Sequence, residues 1–211
     1  MEIIPAILTD SPIKFKEFVR KLEPYTARIH VDIADGVFVN SKTVMGYEEV
    51  KDIEATVKFD VHLMVQKPQD HLKEWFYTHA DRFIVHAESQ VDLGDIIKTI
   101  KEHKRKVGLA LNPETNFDKI EGYLNKVDFV QFMTVHPGFQ GAEFVNEVVD
   151  KIASFHSKYP DIIIMCDGGI TPETVPGLVK AGVSVLVSGS YIIKSPNTEK
   201  AINDLRSAVS I

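Results

Sequence analysis

The chain has one cysteine, Cys166, one tryptophan and no surplus of basic residues among its 211 positions. A lone cysteine excludes an intramolecular disulfide and favours a reducing compartment. With 24 lysines and arginines against 30 aspartates and glutamates, the formal charge is −6, which argues against a nucleic-acid partner. The one basic cluster, Lys101 with His103, Lys104, Arg105 and Lys106, reads as a solvated helix end. No apolar run is long enough to span a bilayer. The first one, Ile3 to Leu8, follows Glu2 without a basic leader, so no membrane partner and a cytoplasmic location are expected. Linkers rich in glycine, serine or proline are also missing, which leaves 1–211 as a single domain.

What is there is alternation. Short β-branched runs recur at Ile3 to Leu8, Ala27 to Ile33, Thr56 to Met64, Arg82 to His86, Lys106 to Leu111, Phe129 to Thr134, Ile162 to Cys166 and Val183 to Val187. Helix-period segments lie between them, at Pro12 to Leu22, Pro68 to Thr78, Gly94 to His103, Val145 to His156, Pro172 to Lys180 and Thr198 to Ala208, with weaker ones at Tyr47 to Ile53 and Asn116 to Asn125. Thr171-Pro172-Glu173 reads as a capped helix start, and Gly182 as a helix stop. Eight such repeats close most naturally into a single (β/α)8 barrel, with an open doubly wound sheet as the other arrangement.

In a barrel, function gathers at the C-terminal ends of the strands. His30 and Asp32 stand two residues apart at the end of the second run and so share a face. His62 reaches the same rim from the third run, and Asp167 from the seventh. Two imidazoles and two carboxylates meeting there suit one divalent metal ion, Zn2+, Mn2+, Co2+ or Fe2+. Taken singly, a strand-end histidine is usually a satisfied polar group, and an aspartate before Gly-Gly a turn former.

Glycine supplies a second signal. His136-Pro137-Gly138-Phe139-Gln140-Gly141 follows strand six, Gly168-Gly169 strand seven, and Gly189-Ser190 strand eight. Glycine lets backbone N–H groups approach an anion, and the last loops of such a barrel commonly hold phosphate, so a phosphorylated substrate is expected. A lone Gly-Gly would be only a turn.

Several segments then resemble the ribulose-phosphate 3-epimerase family over nearly the whole chain: Pro5-Ala6-Ile7-Leu8, His30-Val31-Asp32-Ile33-Ala34-Asp35-Gly36, Asp60-Val61-His62-Leu63-Met64-Val65, Gly108-Leu109-Ala110-Leu111-Asn112-Pro113, Met133-Thr134-Val135-His136-Pro137-Gly138-Phe139 and Asp167-Gly168-Gly169-Ile170. The resemblance implies that His30, Asp32, His62 and Asp167 bind the metal and that Asp32 and Asp167 exchange protons with C3 of a ketose phosphate. It also implies that Met64 and Met133 line the substrate pocket, although core packing alone would explain them. A small-molecule sugar-phosphate partner and a homo-oligomer follow from it as well. Epimerisation needs a proton removed from one face of a carbon and one returned to the other, which two carboxylates supply without a redox cofactor or nucleophile.

Three departures bear on the substrate. Ala6 stands where the family usually has serine, Ala34 where it has methionine, and Val37 to Lys42 lacks the usual histidine and proline. A reshaped pocket raises an epimerase of allulose 6-phosphate as an alternative to one of ribulose 5-phosphate. A lyase resembling hexulose-phosphate synthase is disfavoured, because Asp32-Ile33-Ala34-Asp35 lacks the lysine of that motif. A non-catalytic sugar-phosphate-binding barrel is disfavoured by the retention of all four polar residues.

Overall fold

Eight parallel strands close into a barrel in a computed structural model of the chain, which describes residues 1–51, 53, 55–138 and 141–209. They are β1 Glu2–Ile7, β2 Arg28–Ala34, β3 Lys58–Met64, β4 Ala80–His86, β5 Lys106–Leu111, β6 Phe129–Met133, β7 Ile164–Asp167 and β8 Val185–Ser188. Each pairs with the next in sequence, and Glu2 to Pro5 of β1 close the circle against Val185 to Ser188 of β8. The expected (β/α)8 barrel is therefore the fold. Asp52 of the expected second helix, Glu54 just after it, and Phe139 and Gln140 of the sixth loop lie outside the described residues.

The helices are α1 Pro12–Leu22, α2 Tyr47–Val50, α3 Gln69–Phe76, α4 Leu93–Glu102, α5 Glu147–Lys158, α6 Val175–Lys180, α7 Ser190–Ile193 and α8 Thr198–Ala208. A 3-10 helix, Phe117–Tyr123, replaces the α-helix expected between β5 and β6. α1 shows why the sequence marks some ends well: Ser11 caps it by accepting from the Lys14 N–H, Pro12 opens it, and Arg20 and Lys21 occupy its last turn.

Other ends moved. α6 starts at Val175, not Pro172, because residues 171–174 form a turn in which the Thr174 hydroxyl accepts from the Thr171 N–H at 3.0 Å. α5 starts at Glu147 because the Val145 N–H is taken by the Thr134 carbonyl. β7 starts at Ile164, since Ile162 closes a turn onto Tyr159 and Ile163 is half exposed. Gly182 does end α6, with a φ of +100°.

Apolar side chains fill two shells. Phe15, Leu22, Phe59, Trp75 and Phe155 pack between strands and helices. Inside the barrel lie Ile4, Ala6, Ile84, Ala110, Phe129, Met165, Val185 and Val187. A Cβ on Gly108 would sit 2.2 Å from the Phe129 ring, so the aromatic occupies the space that the glycine leaves. Below them Asp60 is fully buried and accepts from Arg28 at 2.6 Å. Among the described residues no helix is long and apolar enough to cross a membrane.

Candidate active site

Strand register assembles the polar centre. β2 and β3 pair so that Asp32 lies beside His62, and β6 and β7 so that Met133 lies beside Asp167. One potential ligand atom from each of His30, Asp32, His62 and Asp167 lies within 4.8 Å of all the others. His62 Nδ1 is 2.9 Å from Asp32 Oδ1 and 3.4 Å from Asp167 Oδ2. His30 Nε2 is 3.5 Å from both carboxylates. The imidazoles are fully buried, whereas Asp32 and Asp167 keep 8% and 7% of their surface.

Electrostatics bind the four groups together. Burial disfavours a charged His30, but Asp167 and Asp32 outweigh it and lift its pKa to about 10. Burial likewise opposes charge on His62, and the same carboxylates raise it. Burial would raise Asp167, yet His30 and His62 hold it well below the ordinary carboxylate value. Even so, neither nitrogen of His30 has a hydrogen-bond partner. Buried polar atoms are rarely left so. Two nitrogen and two oxygen donors around an orphaned imidazole fit a borderline divalent cation, which would satisfy His30 and balance the carboxylates.

Beside this centre stand three polar residues that the sequence reading passed over. His86 Nε2 lies 2.9 Å from His62 Nε2, and His86 Nδ1 lies 3.2 Å from Glu88 Oε2. Burial keeps His86 below the ordinary histidine pKa. The Gln131 amide donates to Asp167 Oδ2 at 3.3 Å. Period-2 alternation was the available signal: His86-x-Glu88 repeats the spacing of His30-x-Asp32, and Gln131 is the one polar residue of Phe129–Met133.

Above the polar centre opens a cavity lined by Asp32, Asp167, Met64, Met133, Gly138, Gly141, Gly168, Gly169, Gly189 and Ser190, with Ala6, Leu8, Val135 and Thr171 among the others. The glycine loops and both methionines thus share one wall with the aspartates, while His30 and His62 lie beneath. Gly168 has a φ of +110°, and a Cβ there would meet Val135 at 2.4 Å. Its loop is tied down by the Thr134 hydroxyl, which donates to the carbonyl oxygens of Asp167 and Gly168 at 3.0 and 2.5 Å. No lysine or arginine is among the described lining residues. An anion bound there would rely on backbone N–H groups and the Ser190 hydroxyl. His136 stands apart on the rim, exposed and paired with Glu114 at 2.9 Å.

The departures separate as well. Ala6 is in the cavity wall, so the missing hydroxyl leaves real space. Ala34 is not: it is fully buried against Val39 and Met64, with Phe38 and Leu8 packed alongside.

Fold and site together define a (β/α)8 barrel with a buried two-histidine, two-aspartate centre under a glycine-lined cavity at the C-terminal rim. Residues 2–193 match the model of the ribulose-phosphate 3 epimerase family. The ribulose-phosphate 3-epimerase of Bacillus subtilis is 33% identical, with 98% of each chain covered. The cytoplasmic isoform of Oryza sativa is 33% identical over 86% of this chain and 82% of its own. Among solved structures, 3-hexulose-6-phosphate synthase from Salmonella typhimurium superposes with a TM-score of 0.71 at 14% identity, covering 100% of this chain and 99% of its own. Orotidine 5'-monophosphate decarboxylase from Sulfolobus solfataricus gives 0.66 at 14%, covering 99% and 97%. These last two likenesses concern the fold alone. The chain belongs to the ribulose-phosphate 3-epimerase family.

Proposed function

We propose that the chain, as one catalytic barrel over residues 1–211, interconverts D-ribulose 5-phosphate and D-xylulose 5-phosphate, with Asp32 and Asp167 as the proton-transfer pair. The observation that carries this reading is the presence of both carboxylates, from the non-adjacent strands β2 and β7, in the wall of one cavity. One aspartate takes the C3 proton and the other returns a proton to the opposite face of the enediolate, so the configuration inverts. Held by His30, Asp32, His62 and Asp167, one divalent ion (Zn2+, Mn2+, Co2+ or Fe2+) would polarise the C2 carbonyl and stabilise charge on its oxygen. Met64 and Met133, almost fully buried, keep water from the intermediate. Backbone N–H groups around Gly138, Gly141, Gly168, Gly169 and Gly189, with the Ser190 hydroxyl, receive the phosphate.

The family relationship supports the reaction, and the names of the relatives support the five-carbon substrate. Ala6 in the cavity wall favours a second reading, a six-carbon ketose such as allulose 6-phosphate. Comparing kcat/KM for the two sugars decides: at least tenfold preference for ribulose 5-phosphate upholds the first reading, and the reverse overturns it. A homo-oligomer in the cytoplasm is the setting that the family resemblance and the single, buried Cys166 support. Sedimentation analysis counts the copies.

A further inference from the structure

His86 at the end of β4 and Glu88 in the turn after it are two ionisable side chains that the reaction above does not use, and their contacts lead outward from the polar centre. His62 turns Nδ1 toward Asp32 and leaves Nε2 facing away from the centre, 2.9 Å from His86 Nε2. The ring centroids are 5.0 Å apart with an interplanar angle of 22°, so the two imidazoles meet edge to edge, nitrogen to nitrogen. On its far side His86 meets Glu88 Oε2 at 3.2 Å, while Glu88 Oε1 accepts from the Asn112 backbone N–H at 2.9 Å. Both imidazoles are fully buried.

His62 Nε2 faces both His86 Nε2 and, at 3.3 Å, the Gln131 amide nitrogen, so the direction of the chain follows from which His62 nitrogen ligates. A neutral imidazole carries one N–H, and a ligating nitrogen carries none. If His62 presents Nδ1 to a cation, its proton is on Nε2. Two ring nitrogens 2.9 Å apart can share only one proton, so His86 Nε2 accepts. His86 then carries its own proton on Nδ1, where the Glu88 carboxylate accepts it. Glu88 is held in place by the Asn112 N–H at the end of β5.

We infer that His86 and Glu88 are positioning residues that lock His62 in the tautomer and orientation required for ligation through Nδ1. The inference rests on the metal-centre reading of His30, Asp32, His62 and Asp167, and extends it to a fourth strand. Such outer partners raise the basicity of a ligating imidazole, and losing one typically lowers metal affinity about 10- to 100-fold.

The test is Zn2+ binding by the full-length protein in competition with a chromogenic chelator, together with long-range 1H–15N NMR of the histidine rings. We expect wild type to show His62 protonated at Nε2 and His86 at Nδ1. His86→Leu should weaken Zn2+ binding about 10- to 100-fold. His86→Gln, whose amide oxygen replaces the Nε2 acceptor, should recover most of that loss. Glu88→Leu should allow His86 to take its proton on Nε2, visible in the 15N shifts even if the variant binds Zn2+ poorly. Affinity within twofold of wild type in folded His86→Leu, or a wild-type His86 protonated at Nε2, would overturn the inference. So would a wild-type protein that binds no Zn2+, which would sink the metal centre with it. The expected tautomers and affinity losses in a protein inert toward ribulose 5-phosphate would uphold the relay and reject only the proposed substrate.

Discussion

The barrel carries an ionic cluster at each end, and the two are built differently. At the N-terminal end Asp60 meets Arg28 at 2.6 Å and Arg82 at 3.4 Å, Arg28 also reaches Asp81 at 2.8 Å, and Arg82 reaches Glu2 at 3.2 Å. Burial would lower the Arg28 pKa, but Asp60 and Asp81 raise it. Each charge there has a permanent opposite. At the C-terminal end the carboxylates meet imidazoles, which can be neutral, and His30 has no hydrogen-bond partner at all. Permanent pairing makes a plug, whereas incomplete pairing leaves a site with work to do. Aspartate alone distinguishes neither end; the partner type does.

Breaking each cluster should therefore have opposite consequences. The largest effect is expected from Asp167→Asn, because an amide cannot act as a base: turnover should fall at least about 100-fold, with a melting temperature near wild type. At the other end, Asp60→Leu should spare the chemistry but cost about 3 kcal/mol in urea denaturation. That is the low end for breaking a buried pair, since Arg28 and Arg82 keep a little water contact.

Adding a divalent ion sharpens the contrast from the other side. An ion that binds only the folded chain should stabilise wild type by about 2.7 kcal/mol at a free concentration 100 times its Kd. His30→Ala should lose that gain, whereas Arg82→Ala should keep it. pH gives a third distinction. The His30 pKa in the folded, metal-free chain is raised from 6.5 to about 10. Its ion pairing thus stabilises that form fully below pH 6.5 and fades as pH rises toward 10. Metal uptake displaces this proton, so apparent affinity should increase with pH across the same window, measured by chelator competition and by proton release. The smallest effect is expected from Ser190→Ala, one hydrogen bond worth about 0.5–1.5 kcal/mol, which should raise KM about two- to tenfold with kcat little changed.

How much of this was legible depended on whether the signal was local. α1 and α8 matched their expected bounds because caps mark them, Ser11 for one and Asn197 for the other. α7 was missed because Ser190–Ile193 is too short to show a helical period. The four residues that could hold a metal were legible because each sits in a family motif or near a strand end. His86 and Glu88 were not, since their meaning lies in the contact with His62, set by the placement of β4 beside β3. Gln131 was hidden similarly: its role appears only when β6 brings it against Asp167. The surroundings of Ala34 were also nonlocal, because Val39 and Phe38, from the following loop, belong to the cluster around it.

The most direct test of the two-carboxylate account is proton exchange at C3 in deuterated water, followed by NMR with the metal-loaded protein and D-ribulose 5-phosphate. Wild type should give xylulose 5-phosphate labelled at C3, and neither Asp32→Asn nor Asp167→Asn should invert the sugar. Undiminished epimerisation by either variant, or product formed without label, would contradict the two-carboxylate account.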